Sequence, residues 1–161
     1  MDTEQIGKEL ADAHELLNTA SMARLAYNAL DGLPRVVPIG IFWTGEEIVM
    51  STAATAPKVE ALSARPEVAL TIDAGDTPGS AKTLSVRGIV HLTIVDGVVP
   101  EYLAAARKNF DPEFAAEFEQ NCRAMYDRMA RIALEPKWAR YYDFGVGRMP
   151  QFLADLAAKA S

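Results

Sequence analysis

The sequence predicts an α+β fold, a β-barrel of five or six strands capped by helices. Three observations carry that reading. Short β-patterned runs bounded by turn residues recur from residue 22 to residue 144. Amphipathic helical spacing stands at both ends of the chain and in one long crossover after residue 100. Between them the stretch PRVVPIGIFWTGEEIVMSTAATAPK, Pro34 to Lys58, reads as a hairpin that runs directly into a helix start.

In chain order, Ile6, Leu10, Ala13 and Leu17 share one face of a helix predicted over Thr3 to Asn18, with Asp2 or Thr3 as its N-cap. Met22 to Ala29 alternates with period two and gives a first strand, which Asp31-Gly32 closes with a turn. Arg35 to Trp43 and Glu47 to Thr52 follow as strands joined by Thr44-Gly45-Glu46. The first of these is nearly continuous in apolar residues, so it is expected to be covered on both faces. Pro38 inside it lacks a ladder donor, and that position must face an edge, a bulge or a ligand.

A short helix is expected over Ala56 to Ala64, with Val59 and Leu62 inward and Arg65-Pro66 as its stop. Glu67 to Asp73 is β-rich and Ala74 to Ser80 is a loop by composition. Lys82 to Val95 is a long strand with Leu84, Val86, Gly88, Val90, Leu92 and Ile94 on one face. Its other face carries Thr83, Ser85, Arg87, Ile89, His91 and Thr93, a largely polar row. Pro100 opens a helix to about Phe110, and Asp111-Pro112-Glu113 opens a second. Phe114, Phe118, Cys122, Met125 and Met129 form an apolar stripe along that second helix, suited to core or dimer packing. Ala130 to Leu134 gives a closing strand bounded by Pro136, Trp138 to Phe144 offers another, and Pro150 opens a final helix with Phe152, Leu153 and Leu156.

The length of 161 residues suits one domain, 1–161, with no linker or internal repeat. A net charge of −6 opposes nucleic acid and anionic membrane surfaces, so any phosphate site must be local. No apolar run reaches membrane-spanning length, and the acidic N-terminus lacks a signal peptide's basic start; a cytoplasmic protein is expected. Cys122 is alone, which leaves no intrachain disulfide and no cysteine cluster for a metal.

Lys58, at a predicted helix start just after Ser51, Thr52 and Thr55, combines a cation, hydroxyls and backbone N–H groups, the parts of an anion site. Its plain alternative is a solvated surface lysine. Arg35 is either an exposed turn residue or a fork for phosphate oxygens. Arg87 lies between Val86 and Gly88, where limited exposure and an acceptor are expected. Asp143-Phe144-Gly145 and Gly145-Val146-Gly147 are chance echoes of nucleotide-site motifs, and His14 and His91 have no metal-ligand spacing.

From Leu25 to Val95 the order of parts (short strand, Asp31-Gly32, Arg-led strand, hairpin, strand ending in Ser/Thr, then Lys58) resembles the split-barrel flavin-binding proteins related to pyridoxamine 5'-phosphate oxidase. The resemblance implies a split β-barrel with peripheral helices, a homodimer with the cofactor site at the subunit interface, and FMN as cofactor. It implies phosphate contacts from Arg35, Thr52 and Lys58, to which the hydroxyl of Ser51 is added from its place beside Lys58, and an isoalloxazine ring along the hairpin at Val36 and Pro38. Thr83 and Arg87 would meet the ring or ribityl region. Trp138, with Arg140, Tyr141 and Arg148, would cover the ring from the partner subunit; their alternative is a packed C-terminal strand.

Pro57 stands where the family often has a second basic residue. Residues after Trp138 do not match those that bind substrate phosphate in the true oxidase. The implied activity is therefore a flavin-dependent oxidoreductase acting on a small organic substrate. A deazaflavin-dependent reductase, or a flavin- or haem-binding protein without turnover, is the alternative.

Overall fold

Asp2 accepts the Gln5 amide on its carboxylate while the Gln5 side chain returns to the Asp2 N–H, a reciprocal cap that starts α1 (Thr3–Asp12). At Ala13 the helix breaks, and α2 (His14–Thr19) continues from it, so the single opening helix expected from the spacing is two short ones. The computed structural model describes residues 1–161.

Six antiparallel strands close into a barrel: β1 (Met22–Asn28), β2 (Pro34–Trp43), β3 (Ile48–Ala53), β4 (Glu67–Ala74), β5 (Lys82–Asp96) and β6 (Arg128–Asp143), in spatial order β1-β2-β3-β6-β5-β4. Helix α3 (Pro57–Ala64) joins β3 to β4, α4 (Pro100–Asn109) and α5 (Pro112–Met125) join β5 to β6, and α6 (Gln151–Ala160) ends the chain. Each strand sends alternate side chains inward. Leu25, Ile41, Met50, Leu70, Ile72, Leu84 and Ile132 meet there and are almost fully buried.

The helices close opposite ends of this core. Glu15 of α2 lies 3.9 Å from Lys82 at the start of β5. Pro66, just past α3, accepts the Val90 N–H farther along the same strand. Leu16 and Leu17 plug one mouth of the barrel, and Val59 and Leu62 plug the other.

β5 presents the two faces expected of it, with Leu84, Val86 and Val90 buried in the barrel. Three expectations are corrected. β2 is not covered on both sides: Ile39, Ile41 and Trp43 are buried, whereas Val36, Pro38 and Gly40 are exposed on the outer face. Pro136 does not end a strand, because β6 runs through it where the β5 ladder shifts register at Arg87/Gly88. Bulges tolerate proline. A Cβ on Gly88 would stand 2.1 Å from the Glu135 carbonyl oxygen, so the two backbones approach this closely only at glycine. Finally, Met129 belongs to β6 rather than to α5, and Phe114 and Met125 are exposed, so the stripe buries only its middle, at Cys122 and half of Phe118.

Candidate functional site at the open edge of β2

β2 pairs with β1 along Pro34 to Gly40 but with β3 only over Ile41 to Trp43. Residues 34–39 therefore have a strand on one side only, and this gap is the split in the barrel. Ile41 donates its N–H to Ser21 on the β1 side. Alternation along the strand then turns the Pro38 nitrogen toward the gap, where no ladder bond is lost.

β3 ends beside this gap. Ile48 and Met50 point into the barrel, so Thr52 shares their side and Ser51 takes the outer one. The two hydroxyls expected to act together thus leave opposite faces of the strand. After the turn at Ala54 to Ala56, Pro57 occupies the first turn of α3 and no side chain caps the helix. Val59 turns its N–H onto Ala56 O, while the Lys58 amide has no backbone partner. The Lys58 side chain is half-buried and forms no ion pair. An amide, an ammonium and a helix dipole are all unsatisfied at this one position.

Arg35 is differently placed. Its guanidinium bonds Asp31 at 2.7 Å and reaches back to the carbonyls of Leu33 and Pro34. The Leu33 amide and then Arg35 hold the Asp31 carboxyl below the usual range. The Arg35 fork is thus engaged with its own turn.

Four ladders align Val36, Ala26, Ala69, Arg87 and Trp138 in one row across the outer face. Ala26 and Ala69 make its floor flat. Arg87 is exposed, not shielded as its neighbours suggest, and its acceptor is an aromatic face: its Cζ lies 4.0 Å from the Trp138 ring centroid. Thr83 pairs with Asp73 and Tyr142, toward the end of the barrel closed by α2. Four residues of strand place it about 13 Å from Arg87 on the same face. Arg87 and Trp138 are thus neighbours, whereas Val36 stands three strands from Arg87, about 14 Å along the row, much as Thr83 stands along β5.

Of the C-terminal residues named with Trp138, three have structural partners. Arg140 and Arg148 bind Glu9, Arg148 also binds Asp12 at 2.6 Å, and the Tyr141 amide donates to Glu9. Tyr141 itself is buried in the barrel core. This network ties α1 to β6, and a sequence reading missed it because Glu9 looks like a solvated helix acid. His91 bonds Glu135 at 2.6 Å on the surface.

Sequence reasoning also missed a cavity of about 610 Å³ between α4 and the outer face of β2 and β3. Phe42, Tyr102, Phe110 and Phe118 supply its aromatic wall, and Ser51 reaches it from β3. Glu101 lines it as well. Its Oε1 is taken by Arg131, at 2.8 Å from Nε and 2.7 Å from Nη2, while its Oε2 is shut off from solvent without a partner. Burial acts to raise the Glu101 carboxyl, but Arg131 and the residue's own amide together hold it below the usual range, so it is ionised at neutral pH. Burial also pushes the Tyr102 hydroxyl up to about 12, which keeps it protonated. The helical hairpin that builds this wall was legible from Pro100 and Asp111, but not its standing off the sheet.

A closed six-stranded antiparallel barrel, split along one edge and backed by helices, defines the protein as an α+β split barrel. The pyridoxamine 5'-phosphate oxidase family profile matches residues 10–142, and the chain belongs to that family. None of the curated proteins matches the chain. Among solved structures it is similar to a conserved hypothetical protein of Mycobacterium tuberculosis, at 19% identity over 93% of this chain and 89% of that one, with a TM-score of 0.63. It is similar to an F420 reductase at 26% identity, covering 78% of this chain and 94% of that one, with a TM-score of 0.59. The haem storage protein HutZ of Vibrio cholerae shares the fold at 13% identity, with 81% and 92% of the two chains covered and a TM-score of 0.58. No helix is long and apolar enough to cross a membrane.

Proposed function

We propose that this protein is an FMN-dependent oxidoreductase that works as a homodimer in the cytoplasm. The observation that carries the proposal is Lys58: a half-buried residue whose ammonium has no carboxylate partner, beside its own free amide at an uncapped helix start. A phosphate there gains a charge-assisted bond and the dipole together. Thr52 donates from the adjoining strand end, and Arg35 joins by exchanging Asp31 for the phosphate. These residues fit the group.

The ring would lie along Val36 and Pro38, on an outer face that a second subunit then closes. Exposed Val36, Leu33, Leu30 and Met22 support a face made to be covered. Arg87 and Trp138 would border it, and Thr83, about 13 Å from Arg87, would serve the far end of the cofactor or the partner. When bound, FMN supplies hydride or electron transfer; the protein positions the ring and excludes water from it.

One observation favours a second reading. The similarity to an F420 reductase supports a deazaflavin coenzyme as hydride carrier on the same face. Absorption of the protein as isolated, followed by mass identification of whatever it releases on denaturation, separates the two. A yellow protein that releases FMN is the expected result. A colourless protein that binds added deazaflavin and not FMN supports the second reading and overturns the first.

A further inference from the structure

The cavity beneath α4 is built for a ligand of particular charge. No lysine or arginine lines it, and its one ionised side chain is an acid, Glu101. The guanidinium behind that acid, Arg131, is spent on Glu101 and on Glu47, 3.5 Å away. Lys108 is exposed and not part of the lining; its ammonium lies 5.9 Å from the Phe42 ring centroid. A phosphate or carboxylate inside would give up its hydration with no counter-charge among the lining side chains and face a like charge.

The walls specify shape as well. Phe110 meets Phe118 edge-on with centroids 5.5 Å apart and Tyr102 tilts against Phe118 at 5.7 Å, so the three rings make one continuous wall, and Gly40 and Ala105 add little bulk to the rest of the lining. Such a wall offers a flat ring offset-stacked or edge-to-face contacts. The volume is in the range of small-molecule sites.

We propose that this cavity binds an uncharged planar aromatic molecule in preference to its anion, and that the Glu101 carboxylate sets that preference. Its role as the substrate site rests on the flavin reading, since Ser51 and Gly40 connect it to the hairpin; the binding itself does not.

The test uses the full chain freed of any cofactor, titrated calorimetrically with 2-naphthol and with 2-naphthoate, the same ring with and without a negative charge. Saturable binding of 2-naphthol is expected, at least tenfold tighter than 2-naphthoate. Ala105→Phe fills the cavity and abolishes it; Asn109→Phe does so from the exposed rim should the first variant not fold. Glu101→Gln, which frees Arg131, narrows the preference at least threefold. Equal or tighter binding of 2-naphthoate overturns the proposal, as does 2-naphthol binding that survives the filled cavity, or no binding at all. An unchanged preference in Glu101→Gln removes Glu101 from it. A protein that holds FMN but not 2-naphthol fails here alone, and one that binds 2-naphthol but no flavin fails only the functional reading.

Discussion

The Arg87 guanidinium lies 4.0 Å above the Trp138 ring, on a row that also holds Val36, Ala26 and Ala69, and no carboxylate joins the pair. A cation held by an aromatic face instead of an acid keeps its donors free for something else. Because both side chains face outward, the pair adds little to the core. Arg87→Leu is expected to change stability by no more than about 0.5 kcal/mol while shifting Trp138 fluorescence. In the same variant FMN affinity falls if the row borders the cofactor. A large loss of stability with unchanged fluorescence would mean the stack is structural and misread.

Gly88 makes a sharper structural prediction. The backbone at Glu135 leaves no room for a Cβ, and the offending atoms are carbonyl and chain, not a movable side-chain end. Gly88→Ala therefore costs about 3 kcal/mol or more, through a displaced ladder at the bulge. For a chain of this size that lowers the melting temperature by about 10 °C, read by calorimetry. A melt within a degree or two of the parent would show that β5 and β6 can part there at no cost.

The α1 clamp predicts a pH dependence. Arg148 bonds Asp12 and holds its carboxyl below the usual range, against a smaller opposing effect of burial. A depressed folded value means that the unfolded chain takes up its proton first as pH falls. The contribution is complete above the ordinary carboxylate range and is lost as pH drops through the lowered one. Arg148→Met removes it and leaves Glu9 with Arg140 as its one cation beside the Tyr141 amide, at a cost of about 1–3 kcal/mol at neutral pH. Denaturant melts at pH 7 and pH 3 check this: the gap between parent and variant narrows at the lower pH. A gap that is constant or wider in acid contradicts the assignment.

Much of this architecture is legible in the residues. Period two in Leu84 to Ile94, the turn at Asp31-Gly32 and the Pro-led helix starts each act locally, so local pattern reports them. β2 misleads because Val36 and Pro38 are as apolar as Ile39 and Ile41, and only pairing tells which face is covered. Pro136 misleads because a bulge depends on Gly88 across the ladder, nearly fifty residues away in sequence. Of the candidate site, Lys58 and Thr52 follow from order along the chain. The distance of Thr83 from Arg87, the engagement of Arg35 with Asp31 and the cavity wall are products of register and tertiary packing, which no short window contains.

The central claim is that Lys58 anchors a flavin phosphate. Titration of the cofactor-free protein with FMN, followed by flavin fluorescence, tests it most directly when parent and Lys58→Ala are compared at equal thermal stability. Loss of one charged hydrogen bond of about 1.5–3 kcal/mol predicts an affinity about ten to a hundredfold weaker in the variant, with riboflavin, which lacks the phosphate, binding both proteins alike. Equal FMN affinity in the two proteins contradicts the account.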